Sequence, residues 1–246
     1  MQSPSIVLLS NQQALRRAMD IVANNVANSS TTGFKREGIE FDSFLSQPAP
    51  NHTINFVVDR ATYRDAATGP ITKTDNPLDL AIQGEGYFQV QTPQGKRYTR
   101  NGSFQIDSQG QITNLAGQPL LSDGGQAITV PDTTTQINIS GGGFVTARTD
   151  KGTALSQLGK IGVVSFKNEQ KIIPEGNGLY STSQVSAPSI NSSVVQGALE
   201  SSNVQPIVEM TEMIKIMRSY EQATMMVAKE NERLTNAIDK LSRTTA

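Results

Sequence analysis

The chain has 246 residues, a formal net charge of −1, no cysteine and one histidine. Without cysteine there is no disulfide, thiolate nucleophile or cysteine-held metal, and one histidine cannot build a zinc site or a histidine relay. A pI of about 5.9 gives no basic surface for nucleic-acid backbones, and no run approaches the ~20 apolar residues of a membrane helix.

The opening, MQSPSIVLLSNQQ, lacks a basic region ahead of its short apolar run, so no secretory signal is expected. Leu8, Leu15, Met19, Val22 and Val26 recur at helical spacing and predict a helix from Pro4 to about Asn28. Proline is tolerated in a first turn, and the run Ser29–Gly33 is a helix breaker.

Residues 31–68 read as a connector. Apolar residues persist to Leu45 without a clear period, and loop-like then extended chain follows. Gly33 permits a sharp exit from the helix, with Phe34, Phe41 and Phe44 as candidate anchors. From 69 to 199 the chain alternates short β-like runs with turn pairs such as Asn101-Gly102 and Asn177-Gly178, which predicts an irregular, mostly antiparallel β domain.

The last segment opens with Ser202 or Asn203 as helix cap and Pro206 in the first turn, and then carries no glycine or proline to its end. Ile207, Met210, Ile214 and Met217 form one seam, and Tyr220, Val227, Leu234, Ile238 and Leu241 continue it after a slight shift. A long uncapped helix with such a stripe asks for a partner helix. The predicted class is therefore α+β: residues 1–30 and 200–246 pair as coiled-coil-like helices, with the β domain inserted between them.

Three asparagines, Asn24, Asn25 and Asn28, stand at the end of the first helix, where they are poor helix formers. A polar amide at a helix seam costs stability but fixes register and partner. Asn25 is placed on that seam, and the amides are also in a position to bond neighbouring subunits. Five methionines on the last helix, including Met213, Met225 and Met226, suit irregular packing against more than one partner.

The remaining chemistry is sparse. Gly84-Glu85-Gly86 lacks the third glycine and following helix of a dinucleotide site, and Gly141–Gly143 has no following lysine. His52 sits in a polar loop. Asp75, Asp79, Glu85 and Asp107 lie on turn-rich segments, where acids cap turns more often than they catalyse. Arg97 and Arg100 beside Tyr98 are too few for nucleic acid. No catalytic residue, metal site or cofactor is expected.

The stretch NNVANSSTTGFKR resembles the N-terminal signature of the bacterial flagellar axial proteins, the rod and hook family. Gly69–Leu121 resembles the family's central block, and QGALESSNVQPIVEMTEMIKIMRSYE its C-terminal signature. The carried-over motif residues are Asn24, Asn25, Ala27, Asn28, Gly33, Phe34 and Lys35. Within the family the likeness is nearest to the proximal rod members, with the distal rod members second. The resemblance implies a structural subunit of a hollow periplasmic drive shaft. Its partners would be neighbouring proximal rod subunits, the distal rod protein and the type III export apparatus, through which it leaves the cell without a cleaved signal. It implies neither nucleic-acid binding nor membrane insertion. Two readings from other classes are a β-type glycan- or peptide-binding module on a helical stalk and a carboxylate-dependent hydrolase.

Overall fold

A computed structural model describes residues 3–49, 52–149 and 155–244, with side chains for residues 7–40, 61–149 and 155–240. Helix α1 spans Ser3–Ala27 and helix α2 Pro206–Thr244. Among the described residues seventeen strands lie between them: β1 (Glu37–Ala49), β2 (His52–Arg64), β3 (Ile71–Lys73), β4 (Leu80–Gln83), β5 (Tyr87–Thr92), β6 (Gly95–Thr99), β7 (Phe104–Ile106), β8 (Ile112–Asn114), β9 (Thr134–Ile139), β10 (Phe144–Thr149), β11 (Leu155–Lys160), β12 (Val163–Ser165), β13 (Ile173–Gly176), β14 (Leu179–Ser181), β15 (Ala187–Pro188), β16 (Ser193–Gln196) and β17 (Ala198–Glu200). The class is α+β, and all strand pairs are antiparallel.

The chain divides into two units. The first joins α1, the β1–β2 ribbon and α2. The second comprises residues 28–36 and 66–204. The expected connector, residues 31–68, is therefore split: its first residues belong to the β unit, and 37–65 form a long ribbon in the helical unit. Register breaks between Glu40 and Phe41 and between Ser46 and Ala49 interrupt the ribbon's alternation. A bulge of this kind destroys the period-two signal from which a strand is read.

In the helical unit α1 and α2 run antiparallel. Gln12 Nε2 donates to Thr224 Oγ1 near one end, and Asn25 Nδ2 donates to the Glu209 carboxylate near the other. Ala18, Val22 and Ile216 form the buried centre, with Leu15, Met19, Met213 and Ile39 of β1 packed against it. Glu212 aside, the least exposed positions along α2 are Glu209, Met213, Ile216, Tyr220, Ala223, Val227, Glu230 and Leu234. They step by four and three without a shift. Pro206 is the first helical residue, where its missing N–H costs nothing, and Glu209 N donates to Gln205 O. The cap is thus at Gln205 rather than at Ser202 or Asn203, whose side chains are engaged within the β unit.

In the β unit a six-stranded sheet has the order β13-β14-β6-β5-β12-β15, and a three-stranded sheet the order β11-β10-β9. Strand β5 shows why a core forms on both faces. Phe88 and Val90 enter one cluster with Leu80, Phe104 and Ile112, while Tyr87 turns to a second with Tyr98, Phe166 and Tyr180. Period-two alternation sends neighbours to opposite faces, and here both faces are covered.

Candidate functional site

The sites of interest are two buried polar centres, one in each unit, and one face of α2. In the helical unit Asn25 is fully buried. Its Nδ2 donates to Glu37 O at 2.8 Å and to Glu209 Oε2 at 3.0 Å, while its Oδ1 accepts from Glu37 N at 2.9 Å. One amide thus ties the end of α1 to the start of β1 and the first turn of α2. The seam asparagine is satisfied inside its own chain. Glu209 is the residue that sequence reasoning missed. A charged side chain is discounted when an apolar seam is read, and only its heptad spacing from Ile216 and Ala223 marks it.

That omission explains the phase of the predicted stripe. Ile207, Met210, Ile214 and Met217 are exposed, with Ile207 at 81%. They line the side of α2 away from its buried row. Tyr220, Val227 and Leu234 are half-buried on that row, and Ile238 is exposed. On α1, Val22 and Asn25 are buried and Leu8, Leu15, Met19 and Val26 half-buried, whereas Ala14, Ala18 and Ile21 make an adjoining buried row. Small alanines let two helices approach closely. The side chains of Leu241, Phe41, Phe44 and His52 lie outside the described residues.

In the β unit the signature's Lys35 and the dismissed Arg100 meet on Glu200. Lys35 Nζ donates to Glu200 Oε1 at 2.6 Å and to Ala67 O at 2.8 Å. Arg100 donates to Glu200 Oε2 at 2.9 Å, and Gly69 N donates to Oε1 at 3.0 Å. All three charged side chains are at most 3% exposed. Gly33, at φ +70°, donates its N–H to Glu200 O at 2.7 Å. A Cβ there would lie 2.5 Å from the Arg100 carbonyl carbon, so both its backbone angle and its close approach require glycine. Asn203 completes the seam: its Oδ1 accepts from Arg36 N and its Nδ2 donates to Ala67 O. No local signal in the sequence marks Lys35, Arg100 and Glu200 as one centre, because they come from three distant segments.

Burial pushes the Lys35 ammonium below the ordinary lysine value of 10.5, and the Glu200 carboxylate opposes the push. Between the lowered value and about 10.4 the unfolded chain holds a proton that the folded chain has released. Lys35 therefore makes stability rise with pH across that window. Lys35→Met is expected to remove the rise, which urea midpoints at about pH 8 and about pH 10 will measure.

The other motif residues have plain structural parts. Asn28 accepts from the Thr31 hydroxyl and amide as the chain leaves α1, and Phe34 is half-buried; Asn24 and Ala27 are exposed. Asp79 accepts from Asn76, and Asp107 from the amides of Gln109 and Gln111, so both close turns. Asp75 and Glu85 are exposed. Gly84 and Gly86, with φ of +100° and +137°, form the turn from β4 to β5. Among the described residues no acid or histidine cluster could hold a metal ion, and no helix is long and apolar enough to cross a membrane.

Comparison with known proteins gives three family matches in chain order. Residues 7–35 match the flagella basal body rod protein family, 81–147 the flagellar hook protein FlgE/F/G D1 domain, and 195–240 the flagellar basal body rod FlgEFG protein C-terminal region. The flagellar basal-body rod protein FlgF of Caulobacter vibrioides is 36% identical, covering 99% of both chains. FlgF of Mesorhizobium japonicum is 30% identical over 98% of both. The rod protein FlgG of Buchnera aphidicola subsp. Acyrthosiphon pisum is 32% identical over 88% of this chain and 91% of its own. With matches at both helical ends and in the β unit between them, the chain belongs to the flagellar basal-body rod proteins, a family of structural subunits rather than enzymes.

Proposed function

We propose that this FlgF-like rod subunit occupies the proximal rod, and that the outward stripe of α2 packs, in coiled-coil-like fashion, against helices of neighbouring axial subunits. The observation that carries this reading is that α2 has two apolar faces and α1 fills one. An exposed row of large apolar side chains at helical spacing marks an interaction surface. Full-length similarity to FlgF relatives supports the proximal position, and the distal rod stands second because the FlgG relatives cover less of the chain. The chain would work in the periplasm, reach it through the type III export apparatus without a cleaved signal, and join the distal rod protein at one end of its stack. The domain plan, paired terminal helices as an inner core with the β unit outside, belongs to the same reading.

The test separates folding from assembly. Ile214→Asp and Met210→Asp are expected to leave the melting temperature of the purified chain within about 1 °C of the parent, because exposed substitutions change stability little. They are expected to abolish swimming and the chain's presence in isolated basal bodies. Ile216→Asp, on the buried face, is expected to unfold the helical unit instead. Normal swimming with Ile214→Asp and Met210→Asp combined would refute the stripe as an assembly surface.

A further inference from the structure

The β unit carries a groove of about 730 Å³. Leu78, Ile106, Val130 and Ile137 give it an aliphatic floor, and the charged residues on its lining are Asp75 and Asp132, without any lysine or arginine. Both are exposed, and neither carboxylate has an ion pair or hydrogen bond among the described residues. Asp75 is also held in place. Its φ is 58°, an angle that aspartate tolerates and most residues avoid, and the amides of Thr74 and Asp75 both donate to Gly197 O. A fixed turn thus presents an unpaired carboxylate beside an apolar surface.

The complementary surface is the loop from Lys167 to Ile173, which joins β12 to β13. Phe166 and Ile172 turn inward to the aromatic cluster. Lys167, Lys171 and Ile173 stay outside, with Ile173 at 62% exposure. Neither lysine has an ion pair among the described residues. The acids near them are taken: Glu175 pairs with Arg97, and Glu169 lies within electrostatic reach of Lys35. None of these loop residues lines the groove of its own chain.

The loop is braced before any partner arrives. Gln184 Oε1 accepts from Asn168 N and its Nε2 donates to Asn168 O, while Asn168 Oδ1 accepts from Gln170 N. A segment already ordered loses little freedom on binding. Among the described residues of the β unit the other exposed cations without an ion pair, Lys73, Lys96 and Arg148, stand singly along the chain. Lys167 and Lys171 alone come as a pair, four positions apart and two from an exposed isoleucine, to set against a groove with two acids and an aliphatic floor.

We infer that the Lys167–Ile173 loop of a second copy docks in this groove, with Ile173 on the aliphatic floor and Lys167 and Lys171 facing Asp75 and Asp132. The apolar contact supplies the attraction, and the charge pairs set orientation and partner. Two different patches meet, so the contact is head-to-tail, the kind from which helical stacks are built. This rests on the rod reading and adds to the α2 contact a second one, between β units.

The test is charge exchange in the full chain, with Asn at position 75 because it suits the left-handed angle. Lys167→Glu with Lys171→Glu, and separately Asp75→Asn with Asp132→Lys, are each expected to lower the number of swimming cells by about tenfold or more. All four changes in one chain are expected to restore swimming, since the signs match again. The inference is overturned if either pair of changes leaves swimming as in the parent, or if the fourfold variant swims no better than the two pairs. Cross-linking tests the same contact with the native charges in place. The chain has no cysteine, so cells co-express an Ile106→Cys chain with an Ile173→Cys chain, and their basal bodies are treated with a short bismaleimide. A dimer of this chain is expected, and none when Leu155→Cys replaces Ile173→Cys. No dimer with Ile173→Cys, equal linking with Leu155→Cys, or linking of Ile106→Cys to another protein overturns the inference. Absence of the parent chain from basal bodies, read by immunoblotting, overturns the rod reading and this inference with it, so the two failures are told apart.

Discussion

Glu200→Ala is expected to lower the melting temperature of the β unit by on the order of 10 °C. Removing one member of a buried ion network costs about 3–5 kcal/mol, because the partners keep their charge without compensation. In a unit of this size each kcal/mol moves the midpoint by roughly 2–4 °C. Here the orphans would be Lys35 and Arg100, both buried, together with Gly69 N. Arg100 also donates to Ile82 O and Gly84 O, so it cannot swing out to water without breaking the β4 end of the sheet. Three of the five tyrosines, Tyr87, Tyr98 and Tyr180, lie in the β-unit core, so near-ultraviolet circular dichroism reads this unit. The double variant Glu200→Ala with Lys35→Met should recover part of the loss, since one uncompensated charge goes with it. A melt unchanged by Glu200→Ala would mean that the network is solvated and the account of Lys35 is wrong.

What could be read beforehand divides along physical lines. Both helices were legible because their periods are long and their stops are chemical: the run after Asn28 and Pro206 before Ile207. The β unit was legible from turn residues, whose backbone demands are local. Its individual short strands were less legible, because runs such as LSQLGK of β11 carry little alternation. The β1–β2 ribbon was missed where its bulges break the alternation.

The phase of α2 shows a subtler limit. Apolar residues at 207, 210, 214 and 217 make a better stripe than 209, 213, 216 and 220, since the latter begins with a glutamate. Burial follows the partner, not the stripe: α1 brings Asn25, whose amide turns a buried carboxylate from a cost into a bond. The stripe that reads better was left for something outside the chain. In the same way Lys35, Arg100 and Glu200 each look like ordinary surface charges in sequence, and only their convergence from distant segments makes them a core.

The second large effect is expected from Asn25→Asp, and its sign with pH is what distinguishes it from a simple packing loss. The change is nearly isosteric, yet it replaces the donor to Glu209 with a carboxylate at about the same 3.0 Å separation. The Glu37 carbonyl, at 2.8 Å, loses its donor too. Two buried carboxyls this close cannot both stay ionised, so the folded variant must take up a proton that the unfolded chain lacks at neutral pH. Its folded-state titration is raised above the ordinary carboxylate range of about 4. Stability is therefore lost as pH rises through that raised value and returns as pH falls below it. At about pH 7.5 the helical unit is expected to lose roughly 3 kcal/mol, followed by helix ellipticity, with the gap to the parent narrowing toward about pH 5. Asn25→Leu, which takes the amide away from Glu209 and from the Glu37 amide and carbonyl, should be destabilised too but without that narrowing. Parallel behaviour of the two variants across pH would show that Glu209 escapes to solvent when Asn25 is changed, and the buried amide–carboxylate pair would then not be what holds the two helices in register.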